Sequence, residues 1–157
     1  MKKFVFTLLK LKDYKVQILD IEKNILAQLN HEKNLLLMRY EQLDVDFYTL
    51  CKELKEKSKV GIMAMEVQLY QFRKDMVKQE QKEIKLKIEI LDLKIEKQTA
   101  IVVSMKQEVE GLNKLEEKQL EEWETELAKE TENIVSELIA TKISDDVNSQ
   151  KIAENVA

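Results

Sequence analysis

Few side chains in this chain could do chemistry, and those few stand apart from one another. His31 is the only histidine and Cys51 the only cysteine in 157 residues. A metal site needs several ligands at short spacing, and a nucleophilic cysteine needs a histidine base at hand. Neither pattern surrounds these two residues. We therefore expect His31 to be a solvated helix residue and Cys51 a small, partly buried apolar one.

Chemistry that depends on phosphate loops or clefts is also disfavoured. The only glycines are Gly61 and Gly111, so the chain has no glycine-rich loop that could cradle a phosphate. The many carboxylates follow the pattern of solvated helix faces, and a rod offers no cleft that could raise the pKa of a carboxylate for acid–base work. We predict no enzymatic activity, metal, cofactor or small-molecule substrate, and the net charge of −4 disfavours nucleic acid as a partner.

The elements that position these side chains must be long helices. The chain has no proline, 36% charged residues and only 6% aromatic residues, a composition typical of long helices and coiled coils. Turns depend on proline and glycine, so the chain can fold back only near Gly61. We predict an all-α fold, an antiparallel two-helix coiled-coil hairpin over residues 1–142. Helix 1 spans about 7–57, the turn about 58–63 and helix 2 about 64–142, and the polar segment 143–157 is expected to be disordered.

An apolar stripe with an average spacing of about 3.6 residues runs along both helices and predicts their shared seam. Its members in the first half are Leu11, Tyr14, Ile18, Ile21, Ile25, Leu29, Leu36, Tyr40, Leu43, Phe47, Leu50 and Leu54. Its members in the second half are Leu69, Phe72, Met76, Ile84, Ile88, Leu91, Ile95, Val102, Met105, Val109, Leu112, Leu120, Trp123, Leu127, Ile134 and Leu138.

Folding at Gly61 predicts that residue i faces residue 122 − i, roughly. Four lysines and no acid lie in residues 2–12, opposite a glutamate-rich segment at 112–126, which supports this register. The run at 84–95 alternates apolar and polar residues and could also be read as a strand, but it would have no partner strand. As a helix it leaves Leu86, Ile90 and Leu93 partly outside the seam, as candidate contacts for another protein or for oligomerisation.

The two arms are unequal, so residues 123–142 overhang the start of helix 1. Their apolar stripe has no intramolecular partner, which predicts an external one. Trp123 either caps the paired region or anchors an interface. Near the turn, half of the aromatic residues must be core and the other half could form a second contact site at the tip. The apolar run at 4–9 is too short for a secretory signal, no segment reaches membrane-spanning length, and we expect a cytoplasmic protein.

The opening Phe4-Val5-Phe6-Thr7-Leu8 and the basic and aromatic residues after it resemble the start of the flagellar export protein FliJ family. Residues 123–130, which begin Trp-Glu, and the sequence Ser-Glu-Leu-Ile at 136–139 look like the family's glutamate-rich closing helix. The overall length and the single turn near the middle are also similar. By layout the resemblance covers most of residues 3–142.

The resemblance implies a hairpin like the central stalk of rotary ATPases, inserted by its terminal end into the hexameric flagellar export ATPase. It further implies contact with the cytoplasmic domain of the export gate, at the inner membrane, and a link to export chaperones. The expected ring contacts are Phe4, Phe6, Trp123, Leu127, Ile134 and Leu138. The expected gate contacts at the tip are Tyr48, Met65, Tyr70, Phe72 and Met76.

Other functions stay open at this point. The same hairpin could be the stalk of a virulence-type secretion system or of a rotary ion-pumping ATPase. It could also be a holding chaperone that clasps clients between helical arms, or a generic coiled-coil adaptor that dimerises.

Overall fold

The computed structural model describes residues 3–156 and contains two long helices packed against each other. Helix α1 spans Leu9–Val60, with 52 residues, and helix α2 spans Ala64–Val156, with 93 residues. The predicted all-α, antiparallel two-helix hairpin with unequal arms is confirmed. Residues 84–95 lie inside α2, and the described part of the chain contains no strand.

The turn consists of three residues, Gly61, Ile62 and Met63. Gly61 has a φ of 108°, a conformation that residues with a side chain rarely adopt, and its amide donates to the carbonyl of Lys57 at 3.1 Å. The amides of Glu66 and Val67 both donate to the carbonyl of Met63, at 3.0 and 3.2 Å, and so start α2. The chain reverses at Gly61 as the sequence predicts.

The helix ends differ from the prediction at three of four places. Helix α1 begins two residues later and ends three residues later than expected, while α2 begins at Ala64 as predicted. The expected end of helix 2 near 142, with a disordered tail after it, is wrong in this structure, because 143–156 continue the helix. No glycine or proline follows Gly111, so nothing in the sequence stops the helix. The hydroxyls of Thr141 and Ser149 bond back to carbonyls four residues earlier.

The chain divides into two compact units. Unit 1 combines residues 1–14 with 108–157, and unit 2 comprises residues 15–107. The core of unit 2 lies along the contact between α1 and α2, and its most buried side chain is Leu43, at 1% exposure. Much of the predicted seam is confirmed there by buried or half-buried residues, including Leu43, Phe47, Ile84, Ile88, Leu91, Ile95 and Val102.

Near the turn, however, the predicted seam of α2 is wrong. Leu69, Phe72 and Met76 are 48%, 62% and 56% exposed, and the residues facing α1 are instead Val67, Tyr70, Lys74 and Val77. The aliphatic stem of a lysine can line such a contact while its charge stays in water.

Toward the N-terminal end of α1, the side of the helix that packs against α2 also differs from the predicted seam. Ile21 and Ile25 are exposed, as are Leu11 and Tyr14 in unit 1, whereas Leu19 is buried at 6% exposure. Apolar residues here occupy more than one face of the helix. The sequence therefore offers two stripes, and packing selects the one that contains Leu19.

Polar contacts across unit 2 define the register. Arg39 contacts Glu80, Lys33 contacts Asp92, Asp44 contacts Gln81 and Glu22 contacts Gln98. The numbers of these partners add to between 119 and 125, and the predicted sum of 122 lies within that range. Glu80 and Gln98 of α2 are therefore both paired with residues of α1.

Candidate interaction surfaces

No cluster of three or more histidine, cysteine or acidic side chains that could hold a metal is present among residues 3–156. His31 is exposed and Cys51 is half-buried, as expected from the sequence. Within the same residues, neither helix carries a segment apolar enough to cross a membrane. The surfaces that remain to be explained are apolar and charged faces of helices.

The N-terminal segment of unit 1 packs onto α2. Phe6 is only 4% exposed, and its carbonyl accepts from the amide of Leu9 at 3.2 Å where α1 begins. The rings of Phe4 and Trp123 lie 6.1 Å apart at 54°, a tilted geometry favourable for aromatic pairs. Phe4 and Trp123 are both half-buried, so Trp123 caps the paired region of unit 1.

A charge pair supports this packing. Lys12 forms a salt bridge with Glu116, and the two side chains are 23% and 28% exposed. The predicted pairing between N-terminal lysines and the glutamates of 112–126 is confirmed at this position. Lys2 lies outside the described residues. Lys12 lies six residues after Phe6 in the chain, and the pair favours the same alignment.

Beyond Trp123, α2 extends past the start of α1, and every side chain of residues 128–156 is exposed. We call its apolar positions the extension stripe. Ile134 and Leu138, predicted from the sequence, are 47% and 59% exposed. The stripe also includes Val135, Ile139, Ile143 and Val147, at 44–58% exposure. Sequence reasoning missed these four, although their regular four-residue spacing was a signal.

The charge beside the extension stripe is negative. Residues 128–147 carry five acidic and two basic side chains. An apolar strip flanked by carboxylates fits a partner that offers apolar side chains together with lysine or arginine. Charges of this kind mainly raise the association rate and exclude wrong partners.

The structure divides the predicted ring contacts into two groups. Phe6 is buried in unit 1, and Phe4 and Trp123 are turned toward each other, so these three residues hold the N-terminal segment. Leu127 is half-buried and directly precedes the exposed residues 128–156. Ile134 and Leu138 are the predicted contacts that are open to a partner.

The predicted contacts at the tip of unit 2 also divide into buried and exposed residues. Tyr70 is only 5% exposed; its hydroxyl donates to a carboxylate oxygen of Glu53 at 3.3 Å, and the Nζ of Lys57 lies 5.2 Å from its ring centroid. The interaction with Tyr70 raises the pKa of Lys57. Tyr70 is therefore core and not an accessible contact. The other predicted tip contacts, Tyr48, Met65, Phe72 and Met76, are 56–80% exposed.

The tip differs from the extension in charge. Residues 55–87 carry nine basic and five acidic side chains. Two of the lysines, Lys74 and Lys78, place their Nζ atoms 5.6 and 5.0 Å from the ring centroid of Phe47. The exposed apolar side chains of the tip thus lie in a basic setting, whereas those of the extension lie in an acidic one.

No protein-family model, curated protein or solved structure matches this chain.

Proposed function

We propose that this chain is a non-enzymatic stalk and coupling protein of the bacterial flagellar type III export apparatus. In this proposal it binds the hexameric export ATPase through the α2 extension and the cytoplasmic domain of the export gate through its tip. The observation that carries the proposal is the extension stripe. Ile134 and Leu138 are half exposed on a helix that has passed its intramolecular partner, and such a surface fits a docking site better than a solvated face.

The ring contact follows from the chemistry of the extension. The central channel of a six-subunit ring presents the same groups six times around one helix. Basic and apolar groups on the ring would complement the glutamates and the extension stripe. A helix that lies off the axis of the ring contacts each subunit differently, and this difference would bias assembly and hydrolysis. The chain itself needs no catalytic group for that role.

The proposed gate contact uses the opposite charge. Met65, Phe72 and Met76 are exposed beside the lysines of the tip, and methionine side chains adapt to partners of irregular shape. An acidic, apolar groove on the gate would complement this surface. Because the tip and the extension carry charges of opposite sign, each would select its own partner, and one protein could bridge the two partners in a single orientation.

Binding to the purified export ATPase tests the proposal. The variant Ile134→Glu/Leu138→Glu adds two charges to the extension stripe and is expected to weaken binding at least tenfold in a pull-down. The matched control, Leu35→Glu/Val103→Glu, places two glutamates at exposed apolar positions of unit 2 and should bind like the wild type. Undiminished binding by the extension variant would refute the assigned site.

The same surface could serve the stalk of a virulence-type secretion system or of a rotary ion-pumping ATPase. Parallel pull-downs with those rings separate the candidates, because the proposed function requires preference for the flagellar ATPase.

A holding chaperone is favoured by one observation, the exposure of Met63, Met65 and Met76 at 74%, 80% and 56%. It predicts suppression of client aggregation in the absence of any ATPase. The stalk proposal predicts no such activity.

A further inference from the structure

A second apolar seam runs along the outside of α2 in unit 2. Starting at Met65, positions spaced alternately by four and three residues are all exposed, which gives a strict heptad pattern through Ala100. We call this set the outer heptad. Its members are Met65, Leu69, Phe72, Met76, Gln79, Glu83, Leu86, Ile90, Leu93, Lys97 and Ala100. Eight of these eleven residues are apolar.

The outer heptad is separate from the contact with α1. At 100° per residue, Met65, Phe72 and Leu86 lie on the side of α2 roughly opposite Tyr70 and Ile84, which are buried against α1. Apolar residues that repeat every 3.5 positions over five heptads are typical of a helix with a coiled-coil partner. None of the described residues of this chain covers that face.

We infer that the outer heptad pairs with the same segment of a second copy of this chain, in antiparallel orientation, with a two-fold axis near residue 81. Facing residues then have numbers that add to 162. Leu69 meets Leu93 of the second copy, Phe72 meets Ile90, and Met76 meets Leu86. Each pair of facing residues forms one layer of the dimer contact. The two-fold axis repeats the three pairs, which gives six apolar layers in total.

The polar residues of the outer heptad identify a second copy as the occupant. In this alignment Gln79 meets Glu83 of the second copy, and the axis produces two such layers at the centre. Gln79 already donates to Glu83 of its own helix at 3.4 Å, so its amide points along this face. A parallel pair would place Glu83 against Glu83 and Lys97 against Lys97. Antiparallel self-pairing matches apolar with apolar residues and Gln79 with Glu83, and only at the ends of the contact does Lys97 meet an apolar residue, Met65.

The two copies could also pair in a register shifted by one heptad, which would be favoured by the charged residues that flank the seam. It would bring Glu80 near Lys87 and Lys82 near Glu89 of the second copy, whereas the register at 162 leaves mostly like charges beside the seam. Exposed ion pairs contribute little to stability. The shifted register would bury Glu83 against Leu86, and an unpaired polar group in an apolar contact costs more free energy than exposed ion pairs provide. The apolar layers therefore decide the register.

The available area is sufficient for a stable dimer. Seven large apolar side chains of the outer heptad are 48–80% exposed. At about 100 Å² each, they remove about 700 Å² per copy from water on pairing. The total of about 1,400 Å² lies within the range of roughly 1,200–2,000 Å² for stable protein interfaces.

The mass in solution tests the inference. Light scattering on the full chain should give twice the chain mass of 18.5 kDa at micromolar concentration. The variant Leu86→Glu/Leu93→Glu should weaken the dimer at least tenfold, and Leu35→Glu/Val103→Glu should leave it intact. Added salt should strengthen the wild-type dimer, because like charges flank its seam. A monomeric wild type, or dimers in which the heptad variant is unaffected, would overturn the inference.

Oxidative cross-linking tests the orientation, in a Cys51→Ser background. The double variant Met76→Cys/Leu86→Cys should form disulfide-linked dimers, because residue 76 faces residue 86 of the second copy. The single variant Leu86→Cys should not, and a cross-link there indicates a parallel pair. A link between Met76→Cys and Leu93→Cys, without one between positions 76 and 86, indicates the shifted register. Either result refutes the arrangement. If the outer heptad instead binds a protein of different sequence, the purified chain will be monomeric.

The dimer and the proposed ATPase contact fail independently, whereas Met65, Phe72 and Met76 belong both to the outer heptad and to the proposed gate contact. Leu86 and Leu93 belong to neither proposed contact surface, so the heptad variant should still bind the export ATPase. The extension variant Ile134→Glu/Leu138→Glu should still dimerise.

Discussion

Arg39 of α1 holds Glu80 of α2 through two hydrogen bonds, from Nε to Oε1 at 2.8 Å and from Nη2 to Oε2 at 3.1 Å. The fork of the guanidinium matches the two carboxylate oxygens, so the pair fixes direction as well as distance. Both side chains are nearly half exposed, which limits the stabilisation. The value of the pair lies in fixing how α1 and α2 align within unit 2.

The Arg39–Glu80 pair should make stability depend on acid pH. The hydrogen bond from Arg39 lowers the pKa of Glu80 below its ordinary value. A carboxyl whose folded pKa is lowered contributes stability above its unfolded pKa, about 4.3, and loses it as the pH falls through the folded value. Urea unfolding of the wild type and Glu80→Gln should therefore differ more at pH 7 than at pH 3. An equal difference at both pH values would contradict this assignment.

The two glycines should respond to alanine with opposite signs. Gly61→Ala forces a side chain into a positive φ and is expected to cost about 1 kcal/mol of unfolding free energy. Gly111 lies inside α2 and no described atom would touch an added Cβ, so Gly111→Ala should stabilise by about 1 kcal/mol. Thermal melts of both variants measure the effect. A stabilising Gly61→Ala would show that the turn does not need the left-handed conformation.

The hairpin could be predicted from sequence because the chain has so few residues that allow a turn. With no proline and only Gly61 and Gly111, one reversal near Gly61 is the arrangement that buries both long stripes. The contacts of Glu80 and Gln98 could not be predicted, since each depends on a partner in the other helix. The polar composition of residues 143–157 predicts disorder, but every residue there tolerates a helix, and α2 continues to Val156.

The rotation of α2 near the turn had a different cause. Residues 65–77 offer two apolar stripes, one with Leu69, Phe72 and Met76 and the other with Val67, Tyr70 and Val77. Periodicity alone cannot choose between them. Tyr70 can be buried because Glu53 accepts a hydrogen bond from its hydroxyl, and that contact is visible only in the structure. The choice exposes Phe72 and Met76 and thereby creates the outer heptad.

Leu43 should be the most sensitive seam position in unit 2. Its side chain is 1% exposed, and Leu43→Ala is expected to cost roughly 3 kcal/mol through lost burial and a cavity. The same substitution at Leu35, which is 52% exposed, should cost less than about 1 kcal/mol. Urea denaturation of both variants, compared with the wild type, measures the contrast. Equal losses would mean that Leu43 does not lie in the core.

The docking of the N-terminal segment can be followed by fluorescence, since Trp123 is the only tryptophan. Phe4→Ala removes the ring that lies 6.1 Å from Trp123 and should shift its emission to longer wavelength as water enters. Val5→Ala is the matched control, because Val5 is 72% exposed and should leave the spectrum unchanged. An unchanged spectrum for Phe4→Ala would contradict the packing.

The number of chains bound per export ATPase hexamer tests the stalk proposal most directly. Titration of the purified hexamer, followed by calorimetry, should saturate at one α2 extension per six ATPase subunits, because a ring has one central channel. The variant Ile134→Glu/Leu138→Glu should abolish that heat, and Leu35→Glu/Val103→Glu should preserve it. Saturation at six chains per hexamer, or no binding by the wild type, would contradict the stalk proposal.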